Sequence, residues 1–342
     1  MKIFFCLSYL NIPTTISLIE EGEEDFRVFT SNKKIEFFFS ELYESNKICY
    51  FSKPPLPFSA RGLISILRLF VKKKIIQSEL KKYRHCKVYI FFVSHCFFEA
   101  WMVKKLSKYN TIYYDPAVTF KSRKYNNSWK SVLKSYLIRL LYGVSTDPIE
   151  YGKKVLYLIN KKYLKNVSAQ KININFKKKN VNKIINEKLK LNKADILLLI
   201  GGTIESGFVS KGNYCLEMDR LLASLNDEGF SIVVKSHPRF NQLYSLEKNQ
   251  KKIPNYFPAN LILKNYEYVI GYSTATLFEA ANSGKKSISL LKYFTPNNKK
   301  QVEDSVSYLK NNLEEGYSIL FPETLSEILE MLSRSSNEEN TY

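Results

Sequence analysis

The sequence predicts an α/β protein in which parallel strands are joined by helices and the pattern occurs twice. Three observations carry that reading. Apolar, strand-like runs near 2–8, 25–30, 47–51, 87–93 and 111–115 alternate with helix-like stretches, as in chains that build a parallel sheet. The same alternation resumes from 195 to 320, so two similar halves are expected. Between them, residues 165–192 are rich in lysine and asparagine and carry little periodicity, which places a junction there and gives domains of 1–170 and 190–335. At 342 residues and 45% hydrophobic content the chain can fill a core in each half.

In the first half, Met1 to Ser8 reads as a buried strand and is too short for a secretory signal. Glu20-Glu21-Gly22 and Glu314-Glu315-Gly316 both read as helix ends stopped by a glycine cap. Residues 61–74 and 128–142 read as apolar helices with basic edges. Packing against a core is their first reading, and peripheral association with an anionic membrane is the second. No segment reaches the roughly 18 to 20 apolar residues of a membrane span, because Arg68 and the lysines after Val71 end the longest candidate. A cytoplasmic location is therefore expected. The five cysteines are an odd count without CxxC spacing and suit a reducing compartment. His85-Cys86 and His95-Cys96 flank a strand, Lys87 to Ser94. At about 3.3 Å per residue the pairs stand on the order of 30 Å apart and cannot share one metal ion. Thr111 to Asp115, followed by Pro116, is the last strand of this half, and Asp115 is a candidate carboxylate at its end.

The second half carries the motifs. Asp195 to Ile200 is almost wholly apolar, as in a strand covered on both faces, and it runs into Gly201-Gly202-Thr203-Ile204-Glu205. Paired glycines let a backbone approach a ligand closely. The next strand, Phe230 to Val234, delivers Lys235-Ser236-His237-Pro238-Arg239. Proline stops the strand, and a histidine between two cations at a carboxyl-terminal strand end suits a phosphate. A third strand, Tyr268 to Gly271, is followed by Ser273-Thr274 at the capping position of an apolar-periodic helix that contains Glu279. The free N–H groups and positive dipole end of a helix N-terminus favour an anion. Each feature also has a structural reading: a buried histidine, a helix cap, a solvated turn glutamate, and a solvent-facing Glu279.

In this order, Gly202-Thr203-Ile204-Glu205, His237-Pro238 and Ser273-Thr274 resemble the bacterial sialyltransferases of glycosyltransferase family 52, which act on lipooligosaccharide and capsule. The likeness covers mainly residues 195–290. At Asp115-Pro116 it is weaker, since proline stands where the family carries a second acid and no glycine follows. The resemblance implies a GT-B fold, two Rossmann-like domains facing a central cleft, with the acceptor on the first and a CMP-activated sugar on the second. It also implies inversion at the anomeric carbon, with neither metal nor other cofactor. The roles that follow are His237 as hydrogen-bond donor to the departing phosphate, and Ser273 and Thr274 as further donors. Lys235 and Arg239 supply positive charge, Gly202, Thr203 and Pro238 shape the site, and Glu279 holds the ribose. Glu205 is the first choice of general base and Asp115 the second. The acceptor is an oligosaccharide or glycolipid.

Composition agrees. Lys and Arg total 52 against 32 Asp and Glu, a net charge of +20 that points to an anionic partner. A transferase using CMP-Kdo or CDP-glycerol fits the same motifs. The alternative of another class is a basic RNA-binding protein, but no nucleic-acid-binding signature occurs, and none is expected to bind. Neither GxxxxGK[ST] nor GxGxxG is present, which weighs against a nucleotide hydrolase or dinucleotide enzyme.

Overall fold

A computed structural model of the chain describes residues 1–51, 74–75, 77–78, 81–83, 85–90, 112–114, 136, 155–157, 179–189, 194–238, 243–244 and 246–338. The expected helices at 61–74 and 128–142, the His95-Cys96 pair, Asp115 and Arg239 lie outside these residues, apart from Lys74 and Tyr136. The chain divides into two compact units, Met1–Lys179 and Asn180–Tyr342.

The first unit is built on β1 (Lys2–Phe5), β2 (Phe26–Thr30), β3 (Ile48–Tyr50), β4 (Lys87–Ile90), β5 (Ile112–Tyr114) and β6 (Val155–Tyr157). They form one parallel sheet in the order β3-β2-β1-β4-β5-β6. Helix α1 (Ile12–Glu20) connects β1 to β2, and α2 (Lys33–Leu42) connects β2 to β3. Ile3, Phe4, Ile12, Ile35 and Phe39 are completely buried, so both faces of β1 are covered. Lys2 opens β1 and is itself buried. Its ammonium donates to the Leu18 carbonyl at 2.9 Å, in the last turn of α1, where a cation meets the negative end of the helix dipole.

The second unit repeats the plan. A short helix α3 (Lys179–Ile184) leads into β7 (Ala194–Ile200), α4 (Lys211–Asp227), β8 (Ile232–Ser236), β9 (Lys251–Ile253) and β10 (Tyr266–Gly271). After these come α5 (Ala275–Asn282), β11 (Lys286–Ser289), α6 (Lys299–Lys310), β12 (Ile319–Leu320) and α7 (Leu325–Glu338). The sheet order is β12-β11-β10-β7-β8-β9, parallel throughout. Counted within each unit, both sheets have the same order, and the chain reverses direction between the first and fourth strands. Those switch points lie at β1/β4 and β7/β10, where open α/β sheets place their ligands.

Local signals explain the helices. Ser210 caps α4 by accepting from the Asn213 N–H at 3.3 Å. Tyr214, Met218, Leu221, Leu222 and Leu225 then form its buried stripe at helical spacing. Both α4 and α5 end in paired reverse bonds around a glycine with positive φ, Gly229 at 80° and Gly284 at 79°. Phe230 N–H reaches the Leu225 carbonyl at 3.0 Å, and Lys285 N–H reaches Ala280 at 3.0 Å.

Several expectations are corrected. Glu21, with φ of −71°, closes α1, and Gly22 has no left-handed conformation. Gly316 lies beyond the end of α6, in a turn closed by Tyr317 N–H on the Glu314 carbonyl at 3.2 Å. The short strands β6 and β9 have no counterpart in the sequence reading. Among the described residues no helix is long and apolar enough to cross a membrane.

The left-handed corner after α4 gives a first prediction. Gly229→Ala places a Cβ where φ is 80°, so stability should fall by about 1 kcal/mol. Urea unfolding should show a lower midpoint at unchanged slope.

Candidate functional site

The site is built at the carboxyl edge of the second sheet. Strand register brings the ends level: Ile200 pairs with Ser236, Gly271 with Leu199, and Ser289 with Gly271. Gly271 suits this approach, because a Cβ there would stand 3.1 Å from the Leu199 Cβ, a tighter contact than side chains ordinarily make. Three loops leave this edge from the neighbouring strands β8, β7 and β10.

The loop after β7 folds on itself. Ser206 N–H meets the Gly202 carbonyl at 2.9 Å, Gly207 meets Ile204 at 2.9 Å, and Phe208 meets Thr203 at 3.1 Å. Thr203 is buried beneath this turn while Glu205 is exposed on it. The Glu205 carboxylate accepts from the Tyr244 hydroxyl at 3.0 Å. Tyr244 is held in turn by Glu247, which is fully buried and whose Oε1 accepts from the Tyr244 N–H at 3.1 Å and the Tyr214 hydroxyl at 3.4 Å. Burial, then the Glu205 hydrogen bond, pushes the Tyr244 phenol up, and burial, then Glu247, does the same for Tyr214. Tyr244 and Glu247 were missed in the sequence because they sit in an irregular segment without periodicity.

The loop after β8 begins by extending the ladder. His237 N–H donates to the Ile200 carbonyl at 2.8 Å, which fixes His237 beside the root of the Gly-Gly turn, and Pro238 ends the pairing. Lys235 is placed differently from the sequence reading. It is 4% exposed, and its ammonium donates to the Ser236 carbonyl at 2.6 Å and the Asn255 carbonyl at 3.3 Å. Its long stem lies within the fold, and the ammonium ties the end of β8 to the segment after β9.

The loop after β10 opens α5. Thr274 is the N-cap in extended backbone, its hydroxyl accepting from the Thr276 N–H at 3.4 Å, and Ser273 beside it is exposed. The Leu277 N–H already meets the Thr274 carbonyl at 3.1 Å, so the earliest N–H groups and the positive dipole end are what this helix start leaves for an anion. Tyr272 underlies this corner. Its ring meets Phe208 edge-on at 5.3 Å and lies 5.9 Å from Phe294, which stacks on Tyr214 at 5.4 Å. This aromatic layer holds the loops after β7 and β10 together. Burial pushes the Tyr272 phenol up to about 12.

Glu279 lies one turn into α5 and is not solvent-facing. Its carboxyl receives a hydrogen bond from the Asn260 side chain, but its Oε2 and the Asn260 Oδ1 are buried without partners. Burial pushes Glu279 up to about 7. The edge thus brings together Gly202, Thr203, Glu205, His237, Pro238, Ser273, Thr274 and Glu279, while Lys235 is turned to structure. The arrangement offers hydroxyl and N–H donors to an anion, beside a carboxylate held at a fixed angle.

No protein-family profile matches the chain, and no curated protein matches it by sequence. Among solved structures it is similar to spinosyn forosaminyltransferase SpnP, 14% identical with a TM-score of 0.55 over 98% of this chain and 90% of that one. It is also similar to UDP-GlcNAc 2-epimerase from Methanocaldococcus jannaschii, 14% identical with a TM-score of 0.48 over 98% and 100%. ADP-heptose heptosyltransferase II of E. coli gives 11% identity and a TM-score of 0.47 over 100% of each chain. The fold is therefore of GT-B type, with two parallel-sheet α/β domains.

A second prediction follows from Glu279. Its carboxyl titrates near 7 against an ordinary 4.5, so the folded state retains a proton that the unfolded state has lost, and stability falls as pH rises through that window. Glu279→Gln should be nearly neutral below pH 4.5 and stabilising above 7, by up to about 3 kcal/mol. Denaturant unfolding at acidic and alkaline pH would check this, and a gain equal at both would contradict it.

Proposed function

We propose that this chain is an inverting, metal-independent glycosyltransferase that moves sialic acid or a related nonulosonate from a CMP donor to a surface-glycan acceptor. The observation that carries the reading is the convergence of three motifs on one edge. His237 is pinned by its N–H to the end of β7, Glu205 stands on the turn that leaves β7, and the Thr274-capped helix leaves the adjacent β10. These motifs are separated in sequence and carry the family-52 resemblance. The fold, shared with a forosaminyltransferase, agrees with a sugar-transferring activity. None of the three solved structures named above is a sialyltransferase, so the donor and acceptor rest on the motifs alone.

The chemistry uses these groups directly. The acceptor hydroxyl attacks the anomeric carbon, the bond from that carbon to the CMP phosphate breaks, and negative charge collects on the phosphate oxygens. The α5 N-terminus, the Ser273 hydroxyl and the His237 imidazole stabilise that charge. Glu205, oriented by Tyr244, takes the acceptor proton. Glu279 and Asn260 offer unpartnered oxygens to ribose hydroxyls. The same phosphate site would serve CMP-Kdo or CDP-glycerol, so the nucleotide must be found by experiment.

A thermal-shift screen of CMP, CDP, UDP, UMP and GDP tests the reading. CMP at 100 times its dissociation constant should stabilise the chain by about 2.7 kcal/mol without added divalent metal. A shift seen only with UDP or GDP, or only with magnesium, would sink it. With CMP-sialic acid as donor, His237→Ala should lower turnover by about 10²-fold in folded protein. Glu205→Gln should keep CMP affinity and lose about 10²- to 10⁴-fold in transfer, with Asp115→Asn doing less. The reverse ranking would move the base to Asp115.

A further inference from the structure

The charge of the chain is divided unevenly between the two units. Met1–Lys179 holds 33 of the 52 lysines and arginines but only 13 of the 32 acidic residues, so it carries the entire net charge of +20. Asn180–Tyr342 has 19 of each and is neutral. The unit with the candidate phosphate site is therefore not the one that holds the excess charge. Within the first unit, residues 1–50 have five basic and eight acidic side chains, so the excess lies wholly in residues 51–179. A surplus of this size fits an anionic partner more extended than one nucleotide.

Apolar side chains accompany these cations. Residues 61–74 contain five basic and no acidic side chains, and residues 128–142 contain three and none. In the second stretch, Trp129, Val132, Leu133, Tyr136, Leu137 and Leu140 recur at the three- and four-residue spacing of one helical face. Such a face ordinarily packs on a core. Tyr136, in the middle of that spacing, is helical and 65% exposed. The first stretch leads into helical residues 74, 75, 77, 78, 81 and 82. Lys74, Ile75, Ser78, Lys81 and Lys82 share one face by the same spacing, and all five are exposed, Ile75 at 58%. An apolar side chain open to solvent therefore marks both basic stretches.

We propose that the first unit docks on the surface of an anionic phospholipid bilayer through these stretches, with Lys74, Ile75, Lys81, Lys82 and Tyr136 among the contacting groups. The ammonium groups meet lipid phosphates, and Ile75 and Tyr136 enter the headgroup region, where an apolar body with a polar tip is favoured. A nucleic acid would answer the charge, but it offers nothing to aliphatic side chains at helical spacing. Docking needs no enzymatic reading. Identifying a lipid-borne glycan at that surface as the acceptor rests on the transferase reading.

Flotation of the full chain with vesicles tests it, comparing pure phosphatidylcholine with phosphatidylcholine that carries about one third phosphatidylglycerol. Binding to the anionic vesicles should be tighter by about tenfold or more, and about 0.5 M salt should weaken it strongly. Lys74→Ala, Lys81→Ala and Lys82→Ala together should weaken it by about tenfold, and Ile75→Ser with Tyr136→Ser by a similar factor. Lys299→Ala with Lys300→Ala, exposed on the neutral unit, should change nothing. Thermal melts should match wild type, because every substituted side chain is exposed. If a combined variant does not fold, Lys81→Ala and Tyr136→Ser alone carry the comparison. No binding to anionic vesicles, equal binding to both kinds, undiminished binding in either set of first-unit variants, or retention on RNA without vesicle binding would each overturn the proposal. A CMP shift without vesicle binding defeats only this surface, whereas vesicle binding without any nucleotide shift leaves the surface standing and defeats the transferase reading.

Discussion

The second unit depends on the complete burial of β7. Ile196, Leu197 and Leu198 are wholly inaccessible, so helices must cover both faces, and a strand so placed can have only strands as lateral neighbours. β8 and β10 take those two sides, β8 reached directly through α4 and β10 by the connection that returns from β9. Every candidate group described at this edge follows from that arrangement. The Gly-Gly turn, His237 and the α5 N-terminus come together because parallel strands all discharge their loops at one end. The tight pairing of Gly271 with Leu199 then sets how closely the last of these approaches.

What the sequence made legible tracks how local the cause was. β7, β8 and β10 were readable because an apolar run bounded by glycine or proline needs no partner to be recognised, and Thr274 was readable as a cap for the same reason. β6 and β9 were not, being three residues each, and β9 begins with two exposed lysines. Lys235 reads as an exposed cation because charge in a sequence suggests solvent, whereas it lies on a strand buried along its length, with carbonyl partners for its ammonium. The Tyr244–Glu205 bond joins residues 39 apart, across α4 and β8, and no pattern in the sequence announces it. Glu279 was placed on the right helix, but its hydrogen-bond partner, Asn260, comes from a short turn before β10.

Two chains of hydrogen bonds meet at the second edge with different functions. The one running from Glu247 through Tyr244 to Glu205 starts fully buried and ends exposed, which gives a surface carboxylate a fixed orientation. In the general-base role proposed for Glu205, a fixed orientation counts because the proton must be taken from one direction. The Asn260–Glu279 pair does the opposite: it stays inside and leaves oxygens unmatched. Buried polar atoms without partners cost about 1 to 3 kcal/mol each, so a fold retains them where a bound group repays the loss.

The two sheets share one strand order, yet the chemistry at their switch points differs. At β7/β10 the groups are a helix end, hydroxyls and a histidine, with a carboxylate alongside, a set suited to charge that moves during reaction. At β1/β4 the described groups include an amide and a phenol without partners and a thiol that burial keeps protonated. The backbone plan does not impose this difference, since α1 and α5 both start just past a strand end with a residue able to cap. It arises from a single local choice. Thr276 presents an N–H that Thr274 can satisfy, so that cap closes and leaves the helix dipole as the feature of the corner. Pro13 presents none, and the Asn11 side chain, buried on backbone that is already helical, makes no cap bond at all.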